Sequence, residues 1–213
     1  MISFLRDTYV HIPGYGSEKL NAAYAHDGFD CLNETLAVNF GVHVDANVEV
    51  DFSGFESLID LLGGVSINLT QKEADYLNRN ADWNLKAGVN HLDGAKALAY
   101  SRIRKIDMDA IRAQRQRTVL MALIEKYKSK SVLEMIDLMD DILPLVSTNM
   151  QKDEIIGYIW ELFPMLSSAT IATQQIPAPD TYKEMTVGEI TATKVADMVV
   201  NRQILEDILG HLE

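Results

Sequence analysis

Between Tyr100 and Arg117 the chain sets six basic residues, Arg102, Arg104, Lys105, Arg112, Arg115 and Arg117, against two acidic ones, Asp107 and Asp109. The whole protein carries a formal net charge of −12. A compact cationic segment in an acidic chain suggests a site for a localised anion, most simply phosphate, whose oxygens accept the paired N–H donors of guanidinium groups. Arg102 and Arg104 are two residues apart, so in an extended or irregular segment both point the same way. Two guanidinium forks side by side suit a diphosphate.

The helix expected after them adds a second argument. Leu120, Leu123 and Tyr127 form an apolar stripe, and four-residue steps back from it reach Gln116 and Arg112. On this reading Arg112 and Gln116 face the core, while Arg115 and Arg117 point elsewhere and Arg117 is solvated. A buried, unpaired charge costs several kcal/mol. Arg112 therefore has either an acidic partner inside the fold or a place in a pocket that receives an anion. Arg6-Asp7, at the end of an expected strand, is a second candidate, because ligand crevices form at strand ends in open α/β sheets. As an isolated dipeptide it is a weak signal and reads first as a local salt bridge. Lys19 follows at an expected helix start, where backbone N–H groups also favour anions. The five histidines show no ligand spacing, and none is assigned to metal or catalysis.

These side chains need a scaffold of mixed elements. Met1–Phe4 reads as a strand, His11–Gly16 as a turn, and Ser17–Ala25 and Phe29–Phe40 as two helices. Asn47–Phe52 and Val65–Leu69 alternate as half-buried strands do, around a helix over Phe55–Leu62 that stops at Gly63-Gly64. Further helices are expected over Gln71–Asn78, Asp93–Tyr100, Asp109–Lys130, Leu133–Val146 and Asp153–Leu166, with Asn80–Gly88 as loop. Thr170–Ile176 reads as a strand ended by prolines, and Thr191–Gly210 as a helix broken near Asn201. The expectation is an α/β (α+β) fold with a central mixed β-sheet flanked by helices, an α-β-α sandwich in one domain over residues 1–213.

Composition excludes several classes. An acidic chain repels nucleic-acid backbones over most of its surface. Cys31 is the only cysteine, so it forms no internal disulfide, marks no zinc cluster, and reads as a small buried side chain. The apolar segment Leu58–Val65 is too short for a membrane span and contains Asp60. The N-terminus turns charged at Arg6-Asp7 and does not read as a signal peptide.

Several motifs in order carry a resemblance. They are Ser3-Phe-Leu-Arg-Asp-Thr-Tyr-Val10, Lys19-Leu-Asn-Ala-Ala-Tyr-Ala25, Val50-Asp-Phe52, Leu62-Gly-Gly-Val65, Ala87-Gly-Val-Asn-His-Leu-Asp-Gly94, Ala97-Leu-Ala-Tyr-Ser-Arg-Ile-Arg104 and Arg112-Ala-Gln-Arg-Gln-Arg117. Together they closely resemble the LytR–CpsA–Psr family of Gram-positive cell-envelope proteins, over roughly residues 1–130, with a looser fit beyond. The resemblance implies a phosphotransferase. Such enzymes move a glycopolymer (wall teichoic acid or capsular polysaccharide) from a polyprenyl diphosphate carrier onto a peptidoglycan sugar hydroxyl. It also implies assistance by Mg2+, an apolar groove for the lipid, contact with the membrane surface through that lipid, and a place on the extracellular face of the cell membrane. Nucleic acid is not an expected partner. The older reading of the family as transcriptional attenuators is secondary to this chemistry.

By the same resemblance, Arg6 matches the family's phosphate-contacting arginine, Arg102 and Arg104 the diphosphate-gripping pair, and Arg112 and Gln116 the helix residues that complete the pocket. Asp7 would orient the attacking hydroxyl or hold Arg6. The family usually has Pro where this chain has Leu5. Its magnesium ligands are aspartates of motifs upstream of the matched region. No carboxylate of this chain is therefore assigned to metal, and Asp107 and Asp109 read as local charge partners. Met1–Phe4 is then expected to have an unpaired edge. Two alternatives accompany the transferase: a polyprenyl-diphosphate-binding protein that does no chemistry, and a DNA-binding regulator, against which the charge and the lack of a recognition motif argue.

Overall fold

The computed structural model describes residues 1–103, 109–166 and 168–210. Along the chain these form β1 (Ile2–Phe4), β2 (Tyr9–Ile12), β3 (Gly16–Lys19), α1 (Leu20–Phe40), β4 (Val48–Glu49), α2 (Phe52–Leu61), β5 (Val65–Leu69) and α3 (Gln71–Asn80). Then come β6 (Gly88–Leu92), α4 (Gly94–Ser101), α5 (Asp109–Tyr127), α6 (Val132–Ile142), β7 (Ser147–Thr148) and α7 (Lys152–Leu166). The last elements are β8 (Gln174–Ile176), β9 (Tyr182–Val187), β10 (Ile190–Ala196) and α8 (Met198–Leu209). The mixture of helices and of parallel and antiparallel strands is the expected α/β class. Among the described residues the strands pair two by two.

The chain divides into two compact units, one of residues 1–45 and 172–213, the other of residues 46–171. In the first, β1 pairs in parallel with β8, and β2 with β3 and β9 with β10 run antiparallel. Its core gathers Val10, Ile12, Leu20, Phe40, Ile176 and Leu205, and it also buries Cys31. Leu5 is buried, and its N–H lengthens the β1–β8 ladder by donating to the Ile176 carbonyl at 2.7 Å. A proline at that position has no such donor. Among the described residues β8 is the one strand partner of β1.

Three expectations in this unit are corrected. Ser17–Lys19 is strand, not helix: Gly14 and Gly16 adopt φ of +80° and +95°, which closes a hairpin that pairs His11 with Ser17. The helical expectation over Thr191–Gly210 holds only from Met198. Upstream, Gly188 (φ +59°) turns the chain and the β-branched Ile190, Thr191, Thr193 and Val195 continue as β10. Nor does α8 break at Asn201. That side chain is fully buried, accepts from the Ala178 amide at 2.8 Å, and donates to Thr181 and to the Asp197 carbonyl. It ties the loop after β8 to the helix.

The second unit holds the antiparallel pair β5–β6 and the short pair β4–β7, with α2 to α7 around them. β5 alternates as its sequence demands: Val65, Ile67 and Leu69 are buried while Ser66 and Asn68 are exposed. They meet Ile59, Leu77, Leu92, Tyr100, Ile103 and Val119 in one core. The expected strand over Asn47–Phe52 is shorter, because Asp51 caps α2 by accepting from the Gly54 amide at 2.7 Å. α3 starts in a reciprocal capping box between Thr70 and Glu73, and α4 starts at Asp93, which accepts from the Lys96 amide. The stop at Gly63-Gly64 stands, with both residues at φ near +70°.

Candidate functional site

In the first unit the loop between β1 and β2 is held against the start of α1. The amides of Leu20 and Asn21 donate to the carbonyls of Thr8 and Arg6, at 2.8 and 3.0 Å. These are N–H groups that a helix start leaves without partners inside the helix. Lys19 is the N-cap residue of α1, as its sequence position suggested. The Asp7 carboxylate is buried between two cations, 3.2 Å from Lys19 Nζ and 3.6 Å from Arg6 Nε. Asp7 thus holds Arg6 and Lys19 together, and about half of the Arg6 side chain stays open to solvent. Behind the loop the Lys194 amide donates to the Asp7 carbonyl at 2.8 Å. The Lys194 side chain is buried with Glu184 at 3.4 Å, a cation that no pattern in the sequence marked.

In the second unit Arg102 ends α4 and is exposed. Its guanidinium carbon lies 4.1 Å from the centre of the Phe52 ring, at the start of α2. Such stacking holds an exposed guanidinium in one place while leaving its N–H donors free for oxygen ligands. Beside it lies a groove of about 460 Å³ lined by Glu56, Tyr76, Trp83, Leu98 and Arg102. Arg104, Lys105 and Asp107 lie outside the described residues, as does the side chain of Asp109.

The helix following the arginines is rotated from the expected orientation. Arg112 is half-buried, but Gln116 is exposed and Leu120 is 46% exposed, so the stripe through Gln116 does not face the core. The buried line runs instead through Arg115 (3% exposed) and Val119 (1%). Arg115 donates from Nε to Glu73 Oε1 at 2.7 Å, and Glu73 is itself buried. The other Glu73 oxygen accepts from the amide and hydroxyl of Thr70. Burial pushes the Glu73 carboxyl up, but the Thr70 amide, Arg115 and the Thr70 hydroxyl outweigh it and hold its pKa below the ordinary value. Arg115 is therefore a buried charge with an internal acidic partner, which the sequence alone does not mark. Arg117 is half-buried rather than solvated, and burial lowers its pKa.

Farther along α5 the same unit contains an apolar cavity of about 230 Å³. Leu123, Ile124 and Tyr127 of α5 line it with Leu138 of α6 and Phe163 and Leu166 of α7. Arg112 and Leu123 are eleven residues apart on one helix, about 16 Å at 1.5 Å per residue. One helix thus carries cationic groups at one end and an apolar cavity toward the other. Among the described residues no helix is long and apolar enough to cross a membrane.

Among the described residues no three His, Cys, Asp or Glu side chains gather where they could hold a metal ion, and Asp7 is engaged by Lys19 and Arg6.

The LytR_cpsA_psr family model matches residues 1–204. Among curated proteins, the polyisoprenyl-teichoic acid–peptidoglycan teichoic acid transferase TagT of Bacillus subtilis is 36% identical over 171 residues, covering 79% of this chain and 52% of that protein. The regulatory protein MsrR of Staphylococcus aureus is 31% identical over 213 residues, covering 98% of this chain and 64% of its own length. The chain thus spans between half and two thirds of the length of these relatives. Of the solved structures, TagT bound to LIIa-WTA superposes with a TM-score of 0.79 at 31% identity, covering 99% of this chain and 79% of that one. TagT with bound octaprenyl pyrophosphate lipid superposes with a TM-score of 0.72 at 27% identity, covering 99% and 78%.

Proposed function

Because the chain belongs to the LytR–CpsA–Psr family, we propose that it receives a glycopolymer on a polyprenyl diphosphate carrier and passes it to a sugar hydroxyl of peptidoglycan. The observation that carries this reading is the arrangement within one unit: the exposed Arg102 stacked on Phe52, and α5 leading from Arg112 to a cavity lined mainly by apolar side chains. A diphosphate ester of a long isoprenoid needs both features, a planar multi-donor grip for its phosphates and a dry surface for its tail. TagT, whose structures hold wall teichoic acid and octaprenyl pyrophosphate ligands, supports the same substrate class.

In this mechanism Arg102 and Arg104 grip the diphosphate, with Arg112 of the same unit as a further cation for its oxygens. The acceptor hydroxyl attacks the phosphorus bearing the glycopolymer. A new P–O bond forms as the bond to the second phosphate breaks, polyprenyl monophosphate departs, and the hydroxyl proton is released. Little covalent work falls to the protein. Its contribution is positioning, and guanidinium groups that balance charge on the transferring phosphoryl group. Asp7 serves by holding Arg6 and Lys19, which its burial between them supports. The exposed Gln116 remains available to a ligand approaching α5. The described residues do not fit magnesium, and no step is routed through it. The setting is the outer face of the cell membrane, where the lipid carrier and peptidoglycan meet; wall teichoic acid and capsular polysaccharide are both acceptable cargoes.

The test is to incubate the protein with a polyprenyl diphosphate-linked glycan and peptidoglycan oligosaccharides, with and without added magnesium. The expected products are polyprenyl monophosphate and a phosphodiester-linked conjugate, both lost in Arg102→Glu. Lipid binding without product in either condition would leave a binding protein and overturn the transferase.

A further inference from the structure

We infer that Arg115 is a positioning residue for Arg102: it holds the Ile103 backbone that follows Arg102 and registers it against α5. This rests on the diphosphate reading above and adds a residue that lies outside the site assigned by motif. Ile103 separates the two arginines in the sequence, and its side chain is buried. Its carbonyl oxygen accepts from Arg115 Nη1 at 3.3 Å. The same guanidinium donates from Nε to Glu73 at 2.7 Å, and Glu73 closes the capping box of α3.

One planar group thus joins three things: the chain leaving α4, the start of α3, and α5. Arg115 stands three residues after Arg112, so fixing its side chain also fixes the rotation of α5 and the direction of Arg112. The Arg115 side chain is 3% exposed and Glu73 7%, so neither reaches a ligand directly. A guanidinium is required because its donors diverge in a fixed fork. A lysine ammonium at that point pairs with Glu73 without reproducing the second bond to Ile103. Small losses of placement are expensive at such a site, since misplacement by about 1 Å can cost roughly a hundredfold in catalysis.

The test is to compare the binding of octaprenyl diphosphate and of octaprenol, in the same detergent, by the wild type, Arg115→Lys and Arg102→Ala. Arg115→Lys is expected to lose roughly tenfold in affinity for the diphosphate while its affinity for octaprenol stays unchanged. A folded Arg115→Lys that binds the diphosphate as the wild type does, or loses both ligands in step, overturns the positioning role. Should Arg115→Lys fail to fold, Arg115→Gln combined with Glu73→Gln gives a neutral hydrogen-bonded pair with the same expected split. Arg102→Ala separates the two claims. If it also leaves diphosphate affinity intact, the diphosphate reading fails; if it alone loses affinity, only the role of Arg115 fails.

Discussion

Gly94 lies directly against the Glu56 backbone: a Cβ at position 94 would stand 2.2 Å from the Glu56 carbonyl oxygen. That contact sets α4 against α2 and so places Arg102, at the end of α4, over Phe52, at the start of α2. Alanine in a helix is ordinarily the better residue by up to about 1 kcal/mol. Here overpacking reverses the sign, and Gly94→Ala is expected to destabilise the protein by about 1–3 kcal/mol. Denaturant unfolding checks this; a variant as stable as the wild type would mean that the two helices part easily.

The buried pair of Arg115 and Glu73 makes stability depend on acid. The Glu73 pKa is depressed in the folded state from the ordinary 4.5. Its contribution is therefore full above about pH 4.5 and is lost as pH falls through the folded value. Unfolding measured from pH 7 to pH 3 should show a decline that Glu73→Gln flattens. Arg115→Met, which leaves a buried carboxylate without its cation, is expected to cost about 3–5 kcal/mol near neutral pH.

Asp7 organises two cations. Asp7→Asn keeps the side-chain shape but removes the charge that Lys19 and Arg6 share at 3.2 and 3.6 Å. The expected result is a loss of about 1–3 kcal/mol of stability, read by thermal unfolding. Unchanged stability would show that the loop after β1 is held by its backbone bonds alone.

The apolar cavity along α5 predicts dependence on lipid length. Polyprenyl diphosphates of increasing length should bind more tightly until the cavity is filled, by up to about 0.8 kcal/mol per buried methylene. Leu123→Asp should flatten that dependence while leaving the affinity for inorganic diphosphate unchanged. A wild type that binds short and long chains alike would remove the cavity from the lipid path.

The sequence made the cationic segment legible because charge clustered against a net −12 needs no three-dimensional information. It also made legible the α/β class, the alternation of β5 and the Gly63-Gly64 stop, each a local pattern with a local cause. The orientation of α5 was not legible. Leu120, Leu123 and Tyr127 suggested one stripe, yet the buried line runs through Arg115 and Val119, because Glu73, forty-two residues earlier, supplies the charge that lets an arginine enter the core. Such a pair looks like two surface charges until the fold joins them. The Thr70-x-x-Glu73 box was the available clue that Glu73 faces backbone rather than solvent. β10 was lost in the same way: Ala192, Lys194 and Ala196 read as helix formers, while pairing with β9 favoured the strand, and the buried Lys194 followed from it.

The central claim is that Arg102 grips the diphosphate of a polyprenyl carrier. The most direct measurement is a titration of octaprenyl diphosphate into the wild type and Arg102→Glu, at two salt concentrations. The account predicts saturable binding by the wild type that weakens with salt, and a loss of at least roughly tenfold in the variant. Equal affinity in both proteins, or binding indifferent to salt, would contradict it.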